Sequence, residues 1–320
     1  MPQTILLVEP MLDQIEARLD ADFEVLRLYD PHAQEAVNAR LTDIRAVVTG
    51  GGTGLSREWF DKLPNLGLVA INGVGTDKVD LDLAAARNVH VSTTPDVLTD
   101  DVADIGMGLI IATLRQFGTG ERLVRQGRWA AGTRLALGQS LRGKRLGVVG
   151  LGQIGAALAS RATAFGMQIG YFNRSPRQIE QNWERFASPG ELAGWSDVLA
   201  ICVAGVSQTA SMIDAHVLAA LGPEGFLVNI ARGSIIDENA LLTALENRTI
   251  AGAGLDVFLN EPKIDPRFAA LDNVVLLPHQ GSATVQTRMA MGQLVLDNLS
   301  AFFAGRTPPT SVVPLSGRGQ

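Results

Sequence analysis

One cysteine in 320 residues rules out an intrachain disulfide framework. That residue, Cys202, stands in the apolar run Val198-Leu199-Ala200-Ile201-Cys202-Val203, where a small buried hydrophobe is the simplest reading. A basic surplus is missing as well, since 27 Lys and Arg face 33 Asp and Glu for a formal net charge of -6. Such a chain has little with which to neutralise a phosphate backbone or an anionic bilayer, so neither nucleic acid nor membrane is an expected partner. Runs of about 18 apolar residues are absent, and the run Thr4-Ile5-Leu6-Leu7-Val8 is too short for a signal-peptide core and ends at Glu9. A soluble cytoplasmic protein without a metal site is expected. Aromatics are scarce at 5% and charged residues stand at 19%, while 46% of the chain is hydrophobic. That balance fits an Ala-, Val-, Leu- and Gly-rich α/β protein rather than a disordered chain.

What is present is alternation. From residue 4 to about 95, β-rich runs (Ile5 to Val8, Val25 to Leu28, Ala46 to Val48, Leu68 to Ile71, Val89 to Val91) are separated by amphipathic segments, which implies a parallel sheet with crossover helices. The acidic opening Thr99-Asp100-Asp101 predicts one long helix to about Gln126. A second series begins at Leu146 to Val149 and continues through Gln168 to Phe172, Val198 to Val203, Phe226 to Ile230, Gly252 to Val257 and Val274 to Leu277, six strands in all. Val285 to Phe303 predicts a closing helix that returns to the first sheet, and the Gly- and Pro-containing tail from Gly305 predicts irregular chain. The expected fold is α/β, with two Rossmann-like doubly wound parallel-sheet domains separated by a cleft.

The run Gly150-Leu151-Gly152-Gln153-Ile154-Gly155 follows a strand and opens a helix, the context that a dinucleotide fingerprint requires. Gly150 permits the tight turn, Gly152 lets backbone approach a pyrophosphate, and Gly155 lets helix and strand pack closely. At the end of the next strand, where an acidic residue would hold a ribose 2'-hydroxyl, the chain reads Asn173-Arg174-Ser175, with Arg177 two residues further on. A carboxylate there would repel a 2'-phosphate, whereas Arg174 can clamp one while Asn173 and Ser175 donate to it. NADPH is therefore the preferred cofactor, with NADH left open; ordinary solvated loop cations are the other reading of Arg174 and Arg177.

A hydride acceptor also needs a proton, and histidine supplies one near neutral pH. Of the four histidines, His32, His90 and His216 occupy a turn, a strand start and an early helical position, all compatible with routine roles. His279 lies in Leu277-Pro278-His279-Gln280 directly after a strand, where open α/β sheets bind ligands. Arg232 follows the strand ending at Ile230, and Glu261 comes shortly after the one ending at Val257. Singly, each has a bland reading as a surface or loop side chain; their joint placement points to one site.

These segments, Gly150 to Gly155, Asn229-Ile230-Ala231-Arg232-Gly233, Gly254 to Phe258 with Glu261-Pro262, and Pro278-His279 with Gly281 to Thr284, resemble the D-isomer-specific 2-hydroxyacid dehydrogenases over nearly the whole chain. Asn173-Arg174-Ser175 and Thr99 to Asp104 look most like the NADPH-dependent glyoxylate/hydroxypyruvate reductase branch, which includes 2-ketogluconate reductases. The resemblance implies that Arg232 orients the carboxylate and carbonyl of a small 2-oxo acid, that His279 protonates the carbonyl oxygen, and that Glu261 holds the other ring nitrogen. It implies that backbone N–H groups of Val74 and Gly75 bind the substrate carboxylate, that Asp256 faces the nicotinamide amide, and that Val203, Thr209, Ala231 and Gly281 also line the cofactor site.

By the same resemblance, residues 1–98 with 285–320 form a substrate domain and residues 99–284 a cofactor domain, closing by a hinge. The segment from Thr99 to about Ser140 embraces a second subunit in a homodimer. Ala204 and Gln280 depart from the family pattern, which commonly has proline and a branched apolar residue there. Glu261 argues against formate dehydrogenases, which resemble a site with glutamine in its place. A dinucleotide-sensing, corepressor-like protein with little turnover is the alternative from another class.

Overall fold

In the computed structural model, which describes residues 2–178 and 181–313, the chain divides into two units: residues 1–98 with 284–320, and residues 99–283. The first unit holds strands β1 (Gln3–Leu7), β2 (Phe23–Arg27), β3 (Ile44–Gly50), β4 (Leu68–Asn72) and β5 (His90–Ser92). They pair in parallel in the order β2-β1-β3-β4-β5. Parallel strands are buried on both faces, so successive side chains must find apolar partners on opposite sides. Leu6, Val47, Val69 and Val91 pack with Val37, Phe60 and Ala84. Ile5, Leu7, Ala46 and Val48 pack with Ile15 and Leu19, and with Val295 and Leu299 of the helix Val285–Phe303. That last helix thus belongs to the first unit. Beyond it, Val312 donates its N–H to the Val91 carbonyl at 2.7 Å, so part of the tail is tied down; the remainder of the expected irregular tail, 314–320, lies outside the described residues.

The second unit holds β6 (Arg145–Val149), β7 (Gln168–Phe172), β8 (Glu184–Arg185), β9 (Val198–Ile201), β10 (Phe226–Asn229), β11 (Gly252–Leu255) and β12 (Val274–Leu276). Their order is β12-β11-β10-β9-β6-β7-β8, a seven-stranded parallel sheet. Six strands were expected. The seventh, β8, is two exposed charged residues at the sheet edge, and hydrophobic periodicity gives no signal for such a segment.

The single helix expected from Thr99 to Gln126 is two, Thr99–Leu114 and Phe117–Arg125. Gln116 breaks it by adopting a left-handed conformation at φ 55°, with its side-chain amide donating to the carbonyls of Ala136 and Leu137 at 3.4 and 3.3 Å. Burial changes at the same point. The first helix buries residues such as Val102, Met107, Leu109 and Ile110, whereas the second buries Leu123 alone. The acidic opening of the first helix meets Arg161, which pairs with Asp100 at 2.9 Å and Asp104 at 2.5 Å. Arg161 lies on the helix Gln153–Ala164, so this cross-link fixes the helix that begins at the glycine loop.

Candidate active site

Glycine determines the loop after β6. Gly150 has φ +98°, a region that other residues rarely adopt, and a Cβ there would press into the Val203 backbone. A Cβ on Gly155 would collide with the Gly150 carbonyl, so helix and strand approach as closely as they do only because residue 155 has no side chain. Gly152 is different in kind: a Cβ there would meet nothing within 4 Å. Its glycine leaves open space beside the N-terminus of the helix Gln153–Ala164, where among the described residues no side chain caps the backbone. Open space and the positive end of a helix dipole suit a pyrophosphate.

The end of β7 braces this loop. Asn173 accepts the Leu151 N–H through Oδ1 at 2.7 Å, and Arg177 donates to the Leu151 carbonyl at 2.7 Å. Arg185 on β8 donates to the Asn173 carbonyl at 3.4 Å. Arg174 and Ser175 are exposed beside them. No local pattern signals that Arg177 bonds the Leu151 carbonyl and Arg185 the Asn173 carbonyl, because both partners are main-chain atoms distant in sequence. Ile154 is half-buried in the first turn of the helix; Gln153 precedes it.

The polar side chains expected after β10, β11 and β12 come together. His279 Nδ1 lies 2.6 Å from Glu261 Oε2, and the other Glu261 oxygen accepts the Phe258 N–H at 2.8 Å. Burial pushes the Glu261 pKa up, but the His279 hydrogen bond, the Phe258 N–H and the positive charges of His279 and Arg232 outweigh it and hold the carboxyl below its ordinary value. Because Arg232 acts on Glu261 electrostatically, the three residues form one charged cluster. Phe258, Ile264, Leu276 and Pro278 line a cavity of about 310 Å³ beside the pair. The walls are apolar, but the side chains of His279 and Glu261 remain 39% and 31% exposed, so water screens the pair in part.

Backbone geometry aims these groups. His279 has φ 54° and donates its N–H to the Asp256 carbonyl at 2.9 Å. The buried Asp256 carboxylate accepts the N–H groups of Gln280 at 2.6 Å and Gly281 at 2.8 Å. Burial raises the Asp256 pKa despite those donors and the nearby His279. The resemblance places Asp256 toward the nicotinamide; in the structure both of its oxygens first hold the turn that carries His279.

Asn229 does the same for Arg232. It is fully buried, accepts the Ala231 N–H at 3.0 Å and donates to the Arg232 carbonyl at 2.9 Å. This brace carried no assigned role, although a lone amide at the end of the apolar run Phe226-Leu227-Val228 was a usable signal. A Cβ on Gly233 would strike the Phe258 carbonyl, so glycine brings the Arg232 turn against the Glu261 loop.

Of the remaining expected residues, Val203 backs Gly150. The Thr209 hydroxyl is engaged within its own loop, donating to the Ala204 carbonyl at 2.8 Å and accepting from the Val206 N–H at 3.0 Å. Val74 and Gly75 lie in the first unit, after β4, in a turn anchored where Thr94 donates to the Gly73 carbonyl at 2.8 Å. Among the described residues no helix is long and apolar enough to cross a membrane.

The chain as a whole resembles known proteins. Residues 107–281 match the family model for the D-isomer specific 2-hydroxyacid dehydrogenase, NAD binding domain. The chain is 46% identical to a 2-ketogluconate reductase of Gluconobacter oxydans over 309 residues, covering 97% of this chain and 98% of that one. It is 40% identical over 310 residues to glyoxylate/hydroxypyruvate reductase A of Arabidopsis thaliana, with the same coverage of 97% and 98%. A crystal structure of the NADPH-dependent glyoxylate/hydroxypyruvate reductase of Sinorhizobium meliloti, in complex with NADP and malonate, superposes with a TM-score of 0.93 at 42% identity over 100% of both chains. With the glycine loop after β6 and the polar residues after β10 to β12 already in place, these matches identify the chain as a member of the D-isomer-specific 2-hydroxyacid dehydrogenase family.

Proposed function

We propose that the chain reduces the carbonyl of a small 2-oxo acid to the D-2-hydroxy acid, with NADPH as preferred hydride donor and NADH left open as a second. The observation that carries this reading is the Glu261-anchored His279, 2.6 Å from its carboxylate partner and under the field of Arg232, in the unit that holds the Gly150–Gly155 loop. When bound, the reduced nicotinamide supplies the hydride.

The protein supplies the rest. Glu261 occupies Nδ1 of His279, which leaves Nε2 as the nitrogen that gives its proton to the carbonyl oxygen. Arg232 orients the substrate and stabilises the negative charge that develops on that oxygen. Backbone N–H groups of Val74 and Gly75 take the substrate carboxylate. Gly150, Leu151, Gly152, Gln153, Ile154 and Gly155 present backbone to the pyrophosphate, and Arg174 with Asn173 and Ser175 selects the 2'-phosphate. Val203, Thr209, Ala231, Asp256 and Gly281 line the rest of the cofactor site.

Glyoxylate, hydroxypyruvate and 2-ketogluconate are the candidate substrates, and the family relatives bear those names. The first unit serves as substrate domain and the second as cofactor domain. We further assign a homodimer formed through the segment from Thr99 to about Ser140, which exposes Phe117 at 56%, Trp129 at 65% and Leu137 at 96%. A cytoplasmic location is supported by cysteine usage, a single half-buried Cys202 that leaves no intrachain disulfide. The deciding experiment incubates the chain with NADPH and each acid and resolves the enantiomers of the product. One mole of D-hydroxy acid per mole of NADPH oxidised is expected where the product is chiral. Tight NADPH binding without product would favour a dinucleotide sensor instead.

A further inference from the structure

The strand order β2-β1-β3-β4-β5 reverses direction between β1 and β3: the chain runs from β1 outward to β2 on one flank, and from β3 outward to β4 and β5 on the other. Open parallel sheets hold ligands outside the carboxyl ends of their strands at such a reversal, because the loops leaving the two strands diverge and open a crevice. In this unit the residues at that point are Glu9, two positions beyond β1, and Gly50-Gly51-Gly52-Thr53 at the end of β3.

These residues are built into one surface. Glu9 accepts a hydrogen bond from the Thr53 hydroxyl. A Cβ on Gly50 would collide with the Glu9 carboxylate, so the glycine makes the room that the carboxylate occupies. The next loop joins them, since a Cβ on Gly73 would stand 3.3 Å from the Gly51 nitrogen. The turn assigned to the substrate carboxylate, Val74 and Gly75, therefore continues directly into the surface carrying Glu9. Glu9 is half-buried, and among the described residues its side-chain partner is a neutral hydroxyl rather than a cation.

A carboxylate without a cation, set beside an anion-binding turn, disfavours a second negative charge and accepts O–H donors. Glyoxylate carries no hydroxyl beyond its reacting carbon to offer. A sugar-derived 2-oxo acid carries several. Resting on the reductase reading above, we propose that Glu9 is a specificity-determining residue that selects polyhydroxylated 2-oxo acids, its carboxylate accepting hydroxyls distal to the oxo group while Thr53 holds it in place.

The test compares kcat/KM with NADPH for 2-ketogluconate, glyoxylate and the dicarboxylate 2-oxoglutarate in the full chain and in Glu9→Gln, a nearly isosteric change whose folding is checked by thermal unfolding. Loss of a charge-assisted hydrogen bond lowers the ratio of 2-ketogluconate to glyoxylate activity by about ten- to hundred-fold, chiefly through KM. The ratio of 2-oxoglutarate to glyoxylate activity rises. Thr53→Val, which leaves the carboxylate but frees it, produces a smaller fall in the first ratio.

An unchanged 2-ketogluconate to glyoxylate ratio in Glu9→Gln, whether both activities persist or fall together, overturns the assignment. A wild-type chain that reduces glyoxylate but no polyhydroxylated acid overturns it too, and leaves the reductase reading standing. A wild-type chain that reduces none of the three removes that reading and the Glu9 assignment with it.

Discussion

After its first strand the five-stranded unit turns through Val8-Glu9-Pro10, whereas after its first strand the seven-stranded unit turns through Gly150-Leu151-Gly152. Both sheets are parallel, both place their second strand on one side of the first and run from β3 or from β9 outward on the other, and both bury continuous aliphatic runs on two faces. The same architecture therefore stands twice in one chain with different chemistry at the same topological position. At the first, a carboxylate and a proline disfavour a polyphosphate by charge and by the missing N–H; at the second, bare backbone and a helix N-terminus suit one. The sheet positions a loop, and the loop's residues decide what binds.

Replacing His279 with Ala is expected to have the largest effect, lowering kcat by about 10²- to 10⁴-fold while KM for the oxo acid changes much less, because the proton is delivered in the transition state. Steady-state kinetics at saturating NADPH measures this, and a kcat within a few-fold of wild type would remove the proton-donor role from the second unit.

The glycine loop sharpens the comparison next. Gly150→Ala places a side chain at φ +98° against the Val203 backbone and should destabilise the protein by about 1–3 kcal/mol. Gly152→Ala, which meets nothing, should leave urea unfolding nearly unchanged and yet weaken NADPH by about tenfold, or about 1.4 kcal/mol. If both variants lose stability and affinity in proportion, the open space at Gly152 is not a binding surface.

Arg174→Ala tests the end of β7. One charge-assisted hydrogen bond corresponds to about ten- to hundred-fold in affinity. KM for NADPH should rise by about that factor while KM for NADH stays nearly constant; equal rises for both cofactors would detach Arg174 from the 2'-phosphate.

The smallest effect is a pH dependence of stability. The Glu261 carboxyl is held below its ordinary pKa in the folded chain, so it binds fewer protons there than when unfolded. Its stabilising contribution is complete above the ordinary carboxylate pKa and disappears as pH falls through the lower folded value. In urea unfolding, wild type should exceed Glu261→Gln near neutral pH, and the two should converge in acid; the side chain's 31% exposure keeps the difference small. A gap that widens in acid would reverse the assigned sign.

The sequence exposed the parts of this molecule whose signals are local. The Gly150 to Gly155 spacing is legible because Gly150 and Gly155 answer steric demands of a strand-to-helix turn while Gly152 leaves space beside it, and His279, Arg232 and Glu261 are legible because each follows an aliphatic strand. Features set by distant partners stayed hidden. Gln116 breaks a helix with no proline and no glycine at the break itself, compensated by carbonyls some twenty residues away. Arg177 and Asn173 brace Leu151 through main-chain atoms, and Asp256 holds the Gln280 and Gly281 amides. β8 is too short and too polar for any periodicity to register.

The most direct test of the account is the initial rate of NADPH oxidation by the wild-type chain when glyoxylate, hydroxypyruvate or 2-ketogluconate is added, with NADH run in parallel. Sustained turnover with at least one of these acids is expected, with a higher kcat/KM for NADPH than for NADH. NADPH that binds and is not oxidised with any of them would contradict it.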